Sequence, residues 1–259
     1  MCRLAAYLGP SVSLARLLYE PEHSLEQQSY AARELIYSAV NVDGTGVVWW
    51  PEGEELPIRY ITDRPPWSDP NLPGLAPRIR SGAILAAVRS ASPGIPYGTA
   101  NVGPYVHGRL AGVHNGFVDG FRGPLGRALI DALPDHLHRE LASFNDSHVL
   151  FLRVVSFLEE GSGLPEAVQQ VLAEVASLCT KFDQTATLNL ALADGAQIIA
   201  TRASFGARLN SLYRKQGSGA IWVASEPLDG EGWVPIADGV LLRASAGSCE
   251  EIDLGEDFR

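Results

Sequence analysis

The chain has 259 residues, 46% of them hydrophobic, with a mean hydropathy of +0.03, enough to bury one sizeable core. No apolar run approaches the roughly 20 residues of a membrane helix. Twenty Lys and Arg against 30 Asp and Glu give a formal charge of −10, which opposes nonspecific binding to nucleic acid or anionic membrane and leaves any anion site to single arginines.

The first strand is expected over residues 3–8, directly after Met1-Cys2. The opening run is too abrupt for a secretory signal, so a cytoplasmic location is expected. A small second residue allows removal of Met1, which would leave a thiol and a free amine on Cys2. An α-amino group titrates at roughly 7.7–8.0, so near neutral pH it can serve as the general base for its own thiol. A helix is expected over 25–38, and a strand over 46–50 after the turn-forming Asp43-Gly44. Residues 51–77 hold seven prolines and are expected as an irregular surface excursion.

A buried strand over 81–88 then delivers Arg89 into a Ser/Pro/Gly loop. An arginine there needs a partner: a bound carboxylate held bidentately, or a structural salt bridge. After a second Pro/Gly stretch over 92–104, a strand over 109–114 ends in His114-Asn115-Gly116-Phe117. Asn115 and Gly116 present a side-chain amide and an unobstructed backbone N–H side by side, which suits either an oxyanion or a tight turn.

Helices are expected over 125–133 and 149–160, with a third starting at Pro165 in its first turn. Asp146, just ahead of the second, could cap it or face a ligand ammonium. Cys179 continues the stripe Val168, Val171, Leu172, Val175, Leu178 and is expected as a buried small hydrophobe; Cys249 lies in a polar tail. The three cysteines include no Cys-x-x-Cys pair, and the His136-x-His138 pair lacks further ligands, so neither a disulfide framework nor a metal site is indicated. Strands over 187–193 and 197–201 flank Asp194-Gly195, a hairpin signal, and further strands are expected over 221–225 and 240–244. No glycine-rich phosphate loop is present. Strands early and late with helices between suggest two sheets in contact, covered by helices, in one domain spanning 1–259.

The order of these segments is more specific than any one of them. Met1-Cys2-Arg3, Asn41-Val42-Asp43-Gly44-Thr45-Gly46, Val88-Arg89-Ser90-Ala91-Ser92, His114-Asn115-Gly116-Phe117 and Asp146-Ser147 before an apolar helix resemble the N-terminal-nucleophile class II glutamine amidotransferases. The chain is most similar to the γ-glutamyl hydrolases of ergothioneine biosynthesis, through Thr187-Leu188-Asn189-Leu190-Ala191, Ser211-Leu212-Tyr213 and Val223-Ala224-Ser225-Glu226-Pro227-Leu228 as well.

The resemblance implies an α+β Ntn-hydrolase fold: an αββα four-layer sandwich with two stacked, mainly antiparallel sheets. It implies Cys2 as nucleophile, Asn115 and Gly116 as oxyanion donors, Arg89 and Asp146 as holders of the glutamyl α-carboxylate and α-ammonium, and Ser92 near that carboxylate. Asn41, Asp43 and Gly44 would line the nucleophile end, and Thr45, Val102 and Tyr105 the leaving-group side. Thr45, Asn101-Val102-Gly103-Pro104-Tyr105 and His148 depart from the residues common in relatives, which bears on the leaving group. The implied activity is hydrolysis of a γ-glutamyl amide, with γ-glutamyl-hercynylcysteine sulfoxide as substrate and no metal or organic cofactor. The expected partner is that small molecule, with neither nucleic acid nor membrane, and homo-oligomerisation stays open. Two alternatives stand beside it: a glutaminase subunit giving ammonia to a separate synthase, and a noncatalytic γ-glutamyl-binding protein.

Overall fold

A computed structural model describes residues 2–36, 40–91, 94, 96–245 and 247–258. The first half carries β1 (Arg3–Ser13), α1 (Ala15–Leu18), α2 (Leu25–Ala31), β2 (Thr45–Trp49), β3 (Ile58–Thr62), α3 (Leu72–Leu75), β4 (Arg80–Val88), β5 (Tyr105–His107) and β6 (Leu110–Val118). Four helices follow: α4 (Pro124–Asp131), α5 (Asp135–His138), α6 (Asp146–Glu159) and α7 (Leu164–Phe182). The remainder is β7 (Ala186–Ala193), β8 (Gln197–Arg202), β9 (Ser204–Phe205), β10 (Tyr213–Gly217), β11 (Ala220–Ala224), β12 (Trp233–Pro235), β13 (Val240–Ser245) and β14 (Ser248–Asp253).

These strands form two seven-stranded sheets, one in the order β12-β10-β11-β1-β4-β2-β3, the other β14-β13-β8-β7-β6-β5 with β9 paired to β7. Every strand pairing is antiparallel. Period-two alternation explains the layering. Along β1, Leu4 and Ala6 enter the core between the sheets, whereas Ala5 and Tyr7 face the core under the short helices α1 to α3. The inter-sheet core is rich in alanine (Ala6, Ala87, Ala111, Ala191, Ala200), and the core between the second sheet and α4, α6 and α7 holds the larger Phe151, Leu125, Leu152 and Leu172. The result is helix, sheet, sheet, helix.

Several boundaries differ from expectation. The first strand runs past residue 8 to Ser13 through a register shift between Leu8 and Val12, around Pro10. The helix expected over 25–38 ends at Ala31; the backbone N–H groups of Arg33 and Glu34 donate to the Glu226 carboxylate at 2.8 and 3.0 Å instead of continuing the helical ladder. The proline-rich stretch contains the edge strand β3 and the short α3. Pro165 sits in the first turn of α7 as expected. Asp194 and Gly195 turn β7 into β8, with Gly195 at φ +89° and the Asp194 carboxylate accepting from Ala196 and Gln197 N–H. Cys179 is fully buried, and burial pushes its thiol up to about 11. Cys249 lies on β14 against the inter-sheet core, not in a polar tail.

Candidate active site

The ladder between β1 and β4 pairs Arg3 with Val88, so Cys2 and Arg89, one residue further along each strand, lie level at the same end of the sheet. On the facing sheet, β6 ends beside the start of α6. The cleft between these ends is lined by Cys2, Ala87, Arg89, Ser90, Asn101, Gly103, Tyr105, Val113, His114, Gly116, Asn145, Asp146 and Ser147. Of the residues singled out from the sequence, the fold thus gathers Cys2, Arg89, Gly116 and Asp146 around one space.

Arg89 is 5% exposed. One of its terminal nitrogens donates to the Pro96 carbonyl at 2.9 Å, and the other is buried without a partner. Among the described residues it joins no ion pair, so the structural salt bridge is not what holds it. Its main chain is braced instead: Arg89 N donates to Gly44 O at 2.8 Å, Asp43 N donates to Arg89 O at 2.9 Å, and the Asp43 carboxylate accepts Ala91 N at 2.7 Å. Asn41, Asp43 and Gly44 therefore do not line the cleft; they fix the strand end that carries Arg89, and Asn41 ties it to α2 through Gln28 O and Ser29 O.

Asp146 is 6% exposed and opens α6. The helix starts three residues earlier than expected, and its cap is Asn145, whose side chain accepts from Ser147 N. The Asn145 amide then donates to Asn101 Oδ1 at 3.1 Å and Tyr105 Oη at 2.8 Å, pinning the helix start to the cleft wall. That leaves Asp146 free of the Ncap position. Its Oδ2 accepts Val118 N at 3.1 Å, its Oδ1 accepts Ser147 N at 2.8 Å, and no cation meets it among the described residues.

Gly116 faces α6. A Cβ there would lie 1.9 Å from Thr187 O and 2.3 Å from His114 Nε2, so only glycine fits. Asn115 points the other way, fully buried between the sheets and not on the cleft wall. Its amide donates to Ser225 Oγ at 3.3 Å, the same oxygen that accepts Leu4 N at 3.0 Å, and its Oδ1 is buried without a partner among the described residues. Thr45 and Val102 are fully buried, Thr45 with its hydroxyl on Arg64 O, and Tyr105 lines the cleft. Ser92 lies outside the described residues.

Behind Cys2, Arg3 is wholly buried against Glu226 at 3.6 Å, and Glu226 also accepts His23 Nε2 at 2.6 Å. Burial pushes the Glu226 carboxyl up, but the His23, Arg33 and Glu34 donors and the charge of Arg3 hold it below the ordinary carboxylate value. Beside the cleft, Tyr105 stacks on His148 at 4.4 Å between ring centres, and burial with nearby Arg59 lowers His148 to about 4. Sequence reasoning missed His114, Ser147, Asn101 and the capping role of Asn145; only the last carries a local signal, an Asn directly ahead of an apolar helix. Among the described residues no group of three or more His, Cys, Asp or Glu could hold a metal, and no helix is long and apolar enough to cross a membrane.

The family described as class-II glutamine amidotransferases matches residues 19–219. This chain belongs to the class II glutamine amidotransferase family. It is 36% identical to the γ-glutamyl-hercynylcysteine sulfoxide hydrolase of Mycolicibacterium smegmatis over 92% of this chain and 93% of that protein. It is 33% identical to the enzyme of the same name from Mycobacterium tuberculosis, over 95% and 93% of the two chains. Among solved structures, a glutamine aminotransferase class-II domain protein from Silicibacter pomeroyi superposes with a TM-score of 0.72 at 26% identity, covering 98% of this chain and all of that one. The four layers are the α+β Ntn-hydrolase arrangement of class II glutamine amidotransferases, an enzyme family.

Proposed function

We propose that the protein hydrolyses a γ-glutamyl amide through a thioester on Cys2. The observation that carries this is the pair of buried, unmatched charges around the cleft: Arg89 with a partnerless terminal nitrogen and Asp146 with no cation. An uncompensated buried charge is costly, and a ligand bearing both a carboxylate and an ammonium satisfies both at once. The α-carbon end of a γ-glutamyl group is such a ligand. Held there, its γ-carbonyl is oriented toward Cys2, which removes much of the entropic cost of attack.

With Met1 removed, the Cys2 amine takes the thiol proton and sulfur adds to the γ-carbonyl carbon. In this reading the oxyanion falls to the Gly116 N–H and the Asn115 side-chain amide. The protonated amine donates to the departing nitrogen as the C–N bond breaks, leaving the thioester. Water, deprotonated by the same amine, cleaves the C–S bond and gives glutamate and the free thiol. The two hydrolases named above support γ-glutamyl-hercynylcysteine sulfoxide as substrate, released as glutamate and hercynylcysteine sulfoxide. The test is a product assay comparing this sulfoxide, the corresponding thioether and glutamine. The sulfoxide should be preferred; glutamine as the best substrate, with hydrolysis rising when a synthase is added, would replace this reading with ammonia donation.

A further inference from the structure

His114 lines the cleft, 3% exposed, on the same face of β6 as Gly116. Its Nε2 is 2.8 Å from the Thr187 carbonyl and its Nδ1 is 3.0 Å from Ser147 Oγ. A carbonyl oxygen only accepts, so Nε2 carries the ring proton. Burial lowers the imidazole's affinity for a second proton, with partial opposition from Asp146, and with the ring proton on Nε2 the accepting nitrogen of the neutral ring is Nδ1. The Ser147 hydroxyl has one proton and two acceptors in reach, His114 Nδ1 at 3.0 Å and Asp146 Oδ1 at 3.3 Å, of which Nδ1 is the nearer.

That choice has a consequence for the neighbouring carboxylate. Ser147 Oγ also lies 3.3 Å from Asp146 Oδ1, within reach of donating to it. While the hydroxyl proton is committed to His114, Asp146 keeps two backbone donors among the described residues, from Val118 and Ser147. We propose that His114 is a positioning residue for substrate binding: by holding the Ser147 hydroxyl proton it keeps Oδ1 of Asp146 open for the ammonium group of the ligand. This rests on the γ-glutamyl reading of the cleft. Removing the Nδ1 acceptor would let the hydroxyl swing onto Asp146 and compete with the ammonium.

The test uses His114→Gln, whose amide can still donate to Thr187 O but whose acceptor no longer sits at the Nδ1 position, measured on a γ-glutamyl amide. KM should rise about tenfold, equivalent to about 1.4 kcal/mol, with kcat within about twofold. Adding Ser147→Ala removes the competing proton and should restore most of the lost affinity, whereas a merely structural role for His114 makes the two losses add. His114→Asn keeps an acceptor near the Nδ1 position and should stay within about twofold of the wild-type KM, which tests the idea should the glutamine variant not fold. An unchanged KM in His114→Gln, a double variant no better than the single one, or a tenfold rise in His114→Asn would overturn the inference. A wild-type protein without γ-glutamyl hydrolysis would instead overturn the reading on which it rests.

Discussion

In the proposed reading substrate recognition turns on Arg89 and Asp146, because each sits in a nearly dry wall without an ionic partner among the described residues. Backbone contacts fix both: the 41–44 loop holds the main chain of Arg89, and Val118 and Ser147 N–H groups hold the carboxylate. Arg89→Lys loses the fork that grips a carboxylate at two points, and Asp146→Asn loses the charge that meets an ammonium. Each should weaken kcat/KM on a γ-glutamyl amide by about 2–5 kcal/mol, read from steady-state kinetics. Near-normal kinetics in both would assign the pair to the scaffold. His148 gives a second prediction. Its folded pKa of about 4 lies below the ordinary histidine value near 6.5, so the unfolded chain binds a proton that the folded one refuses. The stability this contributes is complete above about pH 6.5 and is lost as pH falls toward about 4. His148→Phe, which keeps a ring against Tyr105, should flatten the fall of the melting temperature across that window; an unchanged slope would remove His148 as its source.

At the scale of elements, the strands that carry the site were legible because their apolar runs are long and bounded by turn chemistry. Val88-Arg89 and Asp194-Gly195 lie where the sequence places them, whereas β6 runs on past His114-Asn115-Gly116 to Val118, so that stretch sits inside the strand and not at its end. What could not be read locally depends on partners far along the chain. The early end of α2 is set by Glu226, more than 190 residues away, which draws the Arg33 and Glu34 N–H groups out of the helical ladder. The strand β3 hides among prolines because an edge strand needs only one paired side. His114 and Ser147 meet only because β6 and α6 pack together. The same long reach makes Glu226 a structural keystone: it joins Arg3, at the start of β1, to His23 and the turn after α2. Glu226→Ala leaves the wholly buried Arg3 charge without its carboxylate and should cost about 3–5 kcal/mol in denaturant unfolding. A loss within about 0.5 kcal/mol, the range of an ordinary surface change, would contradict that role.

On the scale of the whole molecule, two sheets slide their ends together so that one contributes Cys2 and Arg89 and the other, with α6, contributes Gly116 and Asp146. In the proposed reading the charged clamp recognises only the glutamyl half of a substrate. A larger leaving group bordering Tyr105 adds binding energy that can align the scissile amide, so a bulky sulfur-containing γ-glutamyl conjugate should exceed glutamine in kcat/KM by at least about tenfold, or about 1.4 kcal/mol. The central claim is covalent: one γ-glutamyl group on the sulfur of an N-terminal Cys2. Rapid quenching in acid during turnover, followed by intact-mass and peptide-mass analysis, tests it most directly. The account predicts a protein lacking Met1 that carries one γ-glutamyl acyl group on Cys2, and no such adduct in Cys2→Ala. Full activity with Met1 still attached, or an acyl group on any other residue, would contradict it.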